Sequence, residues 1–254
     1  MTPSPAPSPA PEAPSPLAAR LLHRDAMVLV LDKPSGLPVH PGPKGGETLH
    51  DHLPGLRFGL PRMPELAHRL DKDTSGCLVL GRHAKSLALL NKLFAEGKVD
   101  KTYVAVIKGA PLEESGRIDQ PLAKRSPHRG WWMQAVPKGS PGALEAITDW
   151  RVIGRAEGLS VLALSPLTGR THQLRAHLSN LGFPILGDAI YGGASRLPGG
   201  PVLHLHARRV VLPVAKNAAP LDVQAPFPEH MLETFAALGL DPVALAAAAD
   251  GAFS

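Results

Sequence analysis

Apolar and polar positions alternate along this chain in short, irregular blocks, with no single sustained period. Residues 27–31 (MVLVL) form an apolar run of strand length, stopped by the turn-forming string Asp32-Lys33-Pro34-Ser35-Gly36. Residues 77–80 (CLVL) form a second such run. Residues 84–96 place Leu87, Leu90 and Phe94 at helical spacing and close at Gly97. Read as a strand, residues 101–108 (KTYVAVIK) put Tyr103, Ala105 and Ile107 on one face. Residues 147–153, 160–164 and 202–212 predict three further strands, the last with His204 and His206 on one side. Residues 171–181 predict a helix opened by Thr171 and closed by Gly182, and residues 229–238 a closing helix. Strands dominate without the regular βαβ alternation of a doubly wound sheet, so the expected class is α+β.

The ends differ from the middle. Residues 1–16 (MTPSPAPSPAPEAPSP) contain seven prolines, and nearly all the rest are Ala or Ser. Such a segment buries too little apolar surface to offset its ordering entropy. Residues 1–19 are therefore expected to be a disordered tail, with a ligand for proline-binding domains as the alternative. Residues 241–254 are Ala-rich and expected to fray. Residues 20–240 then form one domain, within the size that 254 residues allow. Glycine and proline make up about a fifth of the chain, which argues against a plain helical bundle.

Charge and cysteine content narrow the setting. The formal net charge is +5, compatible with a phosphate-rich partner without demanding one. Cys77 is the single cysteine, so no internal disulfide forms, and a reducing, cytoplasmic compartment is expected. No run of about 18 apolar residues is present, so no membrane association is expected. The N-terminus does not read as a secretory signal.

Two polar clusters carry candidate chemistry. His68-Arg69-Leu70-Asp71-Lys72-Asp73-Thr74-Ser75-Gly76 lies directly before the CLVL run, with cations on both sides of Asp71. It reads either as a polar turn capped by aspartates or as a site built around Asp71. Residues 166–177 (PLTGRTHQLRAH) place Gly169 and Arg170 before a predicted helix. A helix N-terminus attracts anions, and Arg170 is able to clamp a carboxylate or phosphate with two N–H groups. A capped helix with a solvated basic face is the competing reading. Only Tyr103 and Tyr191 are tyrosines, and a strand tyrosine is usually a packing residue.

Other chemistries find less support. His172 and His177 are not in HExxH spacing, and the pairs His50/His52 and His204/His206 lack a third ligand, so no metal is expected. Neither GxGxxG nor GxxxxGK[ST] occurs, so no nucleotide cofactor is expected. Cys77 lies in an apolar run, where cysteine is usually a small core residue; a Cys–His hydrolase would need it exposed beside a histidine. Residues 124–132 (KRSPHRGWW) mix cations with indoles, as in an RNA-contacting loop or a hairpin whose tryptophans pack inward.

Taken in order, HRLDKDTSG (68–76), KTYVAVIKG (101–109), LTGRTHQLRAHLSNLGFPILGDAIYGG (167–193) and LHLHARRVVLP (203–213) resemble the motifs of RluA-type pseudouridine synthases. The opening VLVLDKPSGLPVHPG (28–42) fits as well. The resemblance runs from about residue 27 to about 228. It implies a mixed, mostly antiparallel sheet with flanking helices around a basic cleft. It also implies isomerisation of chosen uridines in structured RNA, ribosomal or transfer, by a monomer without cofactor or metal. Asp71 matches the family's catalytic aspartate, and Arg170 the arginine that pairs with it. Tyr103 matches the tyrosine that stacks on the target base and is placed to take the C5 proton. Arg69 matches the residue that fills the gap left by the flipped nucleotide, and Leu174 a wall of the pocket. His68, Thr74 and Arg175 fall in the same motifs and are expected to line the substrate site. Residues 110–146 match the family poorly and are candidates for target choice. A non-catalytic RNA-binding assembly factor is the runner-up; it has no need for Asp71, Tyr103 and Arg170 together.

Overall fold

Apolar runs without alternation need cover on both sides, and a sheet with helices on both faces supplies it. The computed structural model of the protein describes residues 15–41, 45–125, 132–194, 202–215 and 217–253. Its strands are β1 (Leu21–Arg24), β2 (Val28–Lys33), β3 (Glu65–Leu66), β4 (Ser75–Gly81), β5 (Asp100–Lys108) and β6 (Ser115–Asp119). After these come β7 (Leu122–Lys124), β8 (Met133–Ala135), β9 (Ile147–Ala156), β10 (Leu159–Pro166), β11 (Leu205–Leu212) and β12 (Leu221–Gln224). The helices are α1 (Leu49–His52), α2 (Ala84–Ala95), α3 (Gln173–Asn180), α4 (Glu229–Ala237) and α5 (Pro242–Asp250). One sheet runs β1-β2-β4-β11-β5-β10-β9-β6, with β3 on β4 and β12 on β11, while β7 and β8 pair separately. Its neighbours are antiparallel except β4 and β11. The α+β class and the mostly antiparallel sheet stand as expected.

Alternate residues of each strand feed different cores. Val28, Val30, Cys77 and Val79 pack with Leu90 and Leu93 of α2. Leu29, Leu31, Leu78 and Leu80 meet Leu17, Leu49, Leu53 and Leu56. In β5, Ala105 and Ile107 lie against Leu174 and Leu178 of α3, with Tyr103 beside them. Val104 and Val106 face Met231 and Phe235 of α4 and Leu245 and Ala249 of α5. Tyr103, Ala105 and Ile107 thus share a face, as their spacing predicts.

Both ends depart from the reading as tails. Pro16–Arg20 forms a 3-10 turn capped by Ser15, and its Leu17 is buried in the core. Arg20 holds Asp32 at 2.6 Å. Structure therefore begins before residue 20, while residues 1–14 lie outside the described residues. The Ala-rich C-terminus is helix α5, not a frayed end. Asp241 caps it, Leu245 and Ala249 are buried, and Asp250 receives two bonds from Arg208, at 3.1 and 2.7 Å. Alanine has the highest helix propensity, and two buried positions anchor the helix here. His50 and His52 sit on α1, opened by a capping box of Thr48 and Asp51, and not on a strand.

If α5 is part of the core, Leu245→Ala should cost about 2–4 kcal/mol of stability. The urea midpoint should fall accordingly; an unchanged midpoint would return residues 241–254 to the status of a tail.

Candidate active site

The site grows from the loop between β3 and β4. Thr74 donates its N–H to the Asp71 carbonyl at 3.2 Å, closing a tight turn. The loop after β2 pins that turn from outside. Gly36 donates to the Lys72 carbonyl at 3.0 Å, and Ser35 Oγ to the Asp73 carbonyl at 2.8 Å. The fully buried Lys33 ammonium donates to the carbonyls of Pro34, Leu37 and Lys72 at 2.8, 2.9 and 2.9 Å. Burial pushes its pKa down to about 8, against the pull of Asp73, Asp71 and Asp32. Gly76 ends the turn at φ +103°, and a Cβ there would run into the Ala207 carbonyl of β11. Only glycine lets the parallel pair β4–β11 close behind the loop.

Asp71 lies at a cleft of about 660 Å³. Two groups from the third motif meet the same carboxylate oxygen. Arg175 Nη1 and His172 Nε2 each lie 3.7 Å from Asp71 Oδ2. Arg175 is 3% exposed and is itself gripped from behind: Nε and Nη2 donate to the two oxygens of Asp188 at 2.8 and 2.9 Å. Burial works against the Asp188 charge, but these bonds, the Arg175 charge and the N–H groups of Tyr191 and Ile190 hold its carboxyl below the usual range. His172 precedes α3 in the left-handed region, at φ 52° and ψ 21°. Its Nδ1 lies 3.2 Å from Tyr191 Oη.

Arg170 is where the expected pairing fails. It lines the cleft, but it is exposed, and its Nε donates to the Glu145 carbonyl at 2.8 Å. The arginine beside Asp71 is Arg175. The reason is local: α3 starts at Gln173, so Arg170 precedes the helix while Arg175 lies on its inward face.

The other expected residues gather at the cleft in different capacities. Tyr103 stands on its wall. Burial, with the charge of Asp71, pushes its phenol above the ordinary value, so at neutral pH it is a protonated hydroxyl. Leu174 is a buried wall residue shared with the core under β5. Arg69 is exposed at the rim, and Thr74 is buried. His68 borders the cleft but is committed to the scaffold. Its Nε2 accepts the Val79 N–H at 3.0 Å, and its ring stacks on Phe94 at 4.6 Å. Burial drops its pKa to about 4, so it is neutral.

Several residues of the site escape sequence reasoning. Lys33, His172, Asp188 and Tyr191 find their partners through the fold. So does Gln173, which accepts from Arg170 N–H and Thr168 Oγ1 and donates to the Ile147 carbonyl and Thr148 Oγ1. Lys101 also lines the cleft, its pKa lowered by burial. Residues 126–131 of the basic-aromatic segment lie outside the described residues. Cys77 is buried, its thiol pushed up to about 12 by burial, so it is no exposed nucleophile. Among the described residues no group of three or more His, Cys, Asp and Glu is placed to hold a metal ion. No single helix there is long and apolar enough to cross a membrane.

The chain is similar to known RNA pseudouridine synthases. The family model described as RNA pseudouridylate synthase matches residues 27–180. An uncharacterized RNA pseudouridine synthase of Zymomonas mobilis is 41% identical over 220 residues, 84% of this chain and 95% of that protein. A ribosomal large subunit pseudouridine synthase D of Xanthomonas campestris pv. campestris is 35% identical over 248 residues, 90% of this chain and 72% of that protein. The solved structure of human RNA pseudouridylate synthase domain containing 4 superposes with a TM-score of 0.74 at 29% identity, covering 89% of this chain and 95% of that one.

Arg175→Met strands Asp188 in the core and should cost about 3–5 kcal/mol of stability. Arg170→Met, at the surface, should stay within about 0.5 kcal/mol, and chemical denaturation of the two variants separates them. Lys33 adds a pH signature. Its ammonium is disfavoured in the folded state, so the folded protein gains stability as pH rises between about 8 and 10.5. That gain is about 3 kcal/mol, and Lys33→Met lacks it. The deficit of the variant should therefore widen across this window in denaturation series at fixed salt.

Proposed function

The chain belongs to the RNA pseudouridylate synthase family, an isomerase family acting on RNA, and on that premise we propose that it converts chosen uridines of ribosomal RNA to pseudouridine with Asp71 as the catalytic carboxylate. The observation that carries this reading is the Asp71 carboxylate at the cleft, with Arg175 and His172 behind one oxygen and Tyr103 on the wall. The ribosomal substrate is supported by the name of the Xanthomonas relative. A uridine stacked in a helix hides C1′ and C5, so the target base must leave the stack and enter the cleft. The C1′–N1 bond breaks, the uracil turns, and a C1′–C5 bond forms as the C5 proton leaves and N1 gains one. Atoms balance within one nucleotide, so no external group carrier is required.

Each side chain has a role consistent with its setting. Asp71 either attacks C1′ or takes a sugar proton. Arg175 balances the charge of Asp71 without enclosing it, because its tighter bonds go to Asp188. The Tyr103 ring offers a face to the uracil, and its protonated hydroxyl is a donor rather than a ready base. Arg69 and Arg170 at the rim, with Lys101 inside the cleft, supply positive charge for the RNA backbone. An assembly factor that only binds RNA has no use for a buried Arg–Asp pair aimed at a second carboxylate.

The direct test is tritium release from RNA labelled at uridine C5, run separately on ribosomal and transfer RNA. The unaltered protein should release tritium from ribosomal RNA, and Asp71→Ala should release none while still binding. Arg175→Lys should lose about 100-fold or more in turnover, since lysine cannot reproduce the two-pronged grip, while Arg170→Lys should keep most of it. Turnover by Asp71→Ala would remove that carboxylate from the reaction.

A further inference from the structure

Behind Asp71, the GDAIYGG segment supplies one aromatic residue that touches both of its cationic-side neighbours. Asp188 Oδ1 accepts the N–H groups of Ile190 and Tyr191 at 2.8 and 3.0 Å, so the carboxylate that grips Arg175 also fixes the Tyr191 backbone. Ser179 Oγ of α3 donates to the Tyr191 carbonyl at 3.0 Å. The Tyr191 ring lies under the Arg175 guanidinium, 5.5 Å from its central carbon. It also meets the His172 ring edge-on at 5.6 Å and 85°. Its hydroxyl accepts the Met133 N–H of β8 at 3.0 Å and lies 3.2 Å from His172 Nδ1.

We propose that Tyr191 and His172 are positioning residues that select which oxygen of Asp71 works on the substrate. The proposal rests on the isomerase reading above and adds how the carboxylate is aimed. With its oxygen already accepting from Met133, the Tyr191 hydroxyl has its own hydrogen to give, and His172 Nδ1 is the acceptor in reach. An imidazole accepting at Nδ1 carries its single proton on Nε2. Nε2 is the atom that faces Asp71 Oδ2. Arg175 Nη1 points at the same oxygen. Both groups lie 3.7 Å from Oδ2, close enough to favour that side of the carboxylate electrostatically, and on this assignment Oδ1 is the oxygen left for the substrate.

The backbone shows the same commitment. His172 holds φ 52°, a conformation a non-glycine residue adopts at some cost, and that turn brings its ring between Tyr191 and Asp71. Among the described residues, the groups that act on the imidazole include Asp71 and Arg69 from the loop before β4, Arg175 from α3, Asp188 from the following turn, and Tyr191. Burial outweighs the pull of Asp71 and keeps the ring neutral at physiological pH. Its tautomer, set by Tyr191, therefore decides what Asp71 meets.

Tyr191→Phe removes the hydroxyl and leaves the ring on Arg175 and the backbone turn on Asp188. Its expected effect is about a tenfold loss in kcat at pH 8 with KM for RNA unchanged, the size of one hydrogen bond. On acidification the defect should shrink, because a doubly protonated imidazole presents Nε2–H whatever Tyr191 does. His172→Asn keeps a residue suited to the left-handed backbone and removes the imidazole. In that background Tyr191→Phe should cause no further loss, since it acts through His172. A Tyr191→Phe profile parallel to that of the unaltered protein at every pH, or losses that simply multiply in the double variant, would overturn the chain. No tritium release by the unaltered protein would instead overturn the isomerase reading and the aiming role with it.

Discussion

A guanidinium buried to 3% exposure has to be answered by a carboxylate, and in this protein the answer is Asp188, not Asp71. The choice has consequences throughout the site. Were Arg175 forked onto Asp71, both oxygens of that carboxylate would be spent on one tight pair. With Asp188 taking Nε and Nη2, only Nη1 remains for Asp71, at 3.7 Å. The cation thus offsets the charge of Asp71 without immobilising it in a closed ion pair. The same requirement shapes the chain around it. Gly187, at φ +77°, has no room for a Cβ beside the Val202 carbonyl, so the turn carrying Asp188 packs directly on the backbone of residues 202 and 203.

The scaffold holds the opposite side of the carboxylate by backbone bonds. Lys33, Ser35 and Gly36 grip the carbonyls of residues 72 and 73, not the side chain of Asp71. Behind the loop, Ser75 Oγ meets His206 Nδ1 at 2.8 Å, where β4 and β11 run parallel. Placing a full ammonium among carbonyls costs stability, which the lowered Lys33 pKa records. The cost falls on a structural group, and the loop gains three directed bonds that a hydrophobic residue could not make. Asp71 is held by what surrounds its main chain, and Arg175 and His172 face its side chain.

Local pattern and motif order carried the sequence reading furthest where partners are near in sequence. The strands at residues 27–31, 77–80 and 101–108 and the helix over 84–96 stand within a few residues of their expected ends, because burial of alternate faces dictates them. The shared face of Tyr103, Ala105 and Ile107 follows from strand geometry alone. The short strands β1, β6, β7, β8 and β12 were not legible, since their pairing depends on neighbours far along the chain and several are largely exposed. The Ala-rich end shows helix propensity in its composition but not the core contacts of Leu245 and Ala249, which only the fold supplies. The sequence cannot separate Arg170 from Arg175 as the arginine beside Asp71, for a related reason. Both arginines lie in one motif, and only the start of α3, set by a left-handed residue at 172, decides which one turns inward.

That left-handed residue is also the point where stability and function part. A glycine at position 172 would meet the same backbone geometry with less strain, and an asparagine tolerates it better than most side chains. Neither has a ring to stand between the Tyr191 hydroxyl and the Asp71 carboxylate. The chain instead keeps a histidine, half-buried and neutral, at a backbone position that penalises it. Strain of this kind persists only where surrounding contacts over-determine it. Here those contacts are the Gln173 side chain, which ties Arg170 and Thr168 to β9, and the Arg175–Asp188 pair one helical turn further on. These contacts are what permit His172 to hold an unfavourable shape, so losses at Gln173 or Asp188 should reach Asp71 through His172 before they unfold the sheet.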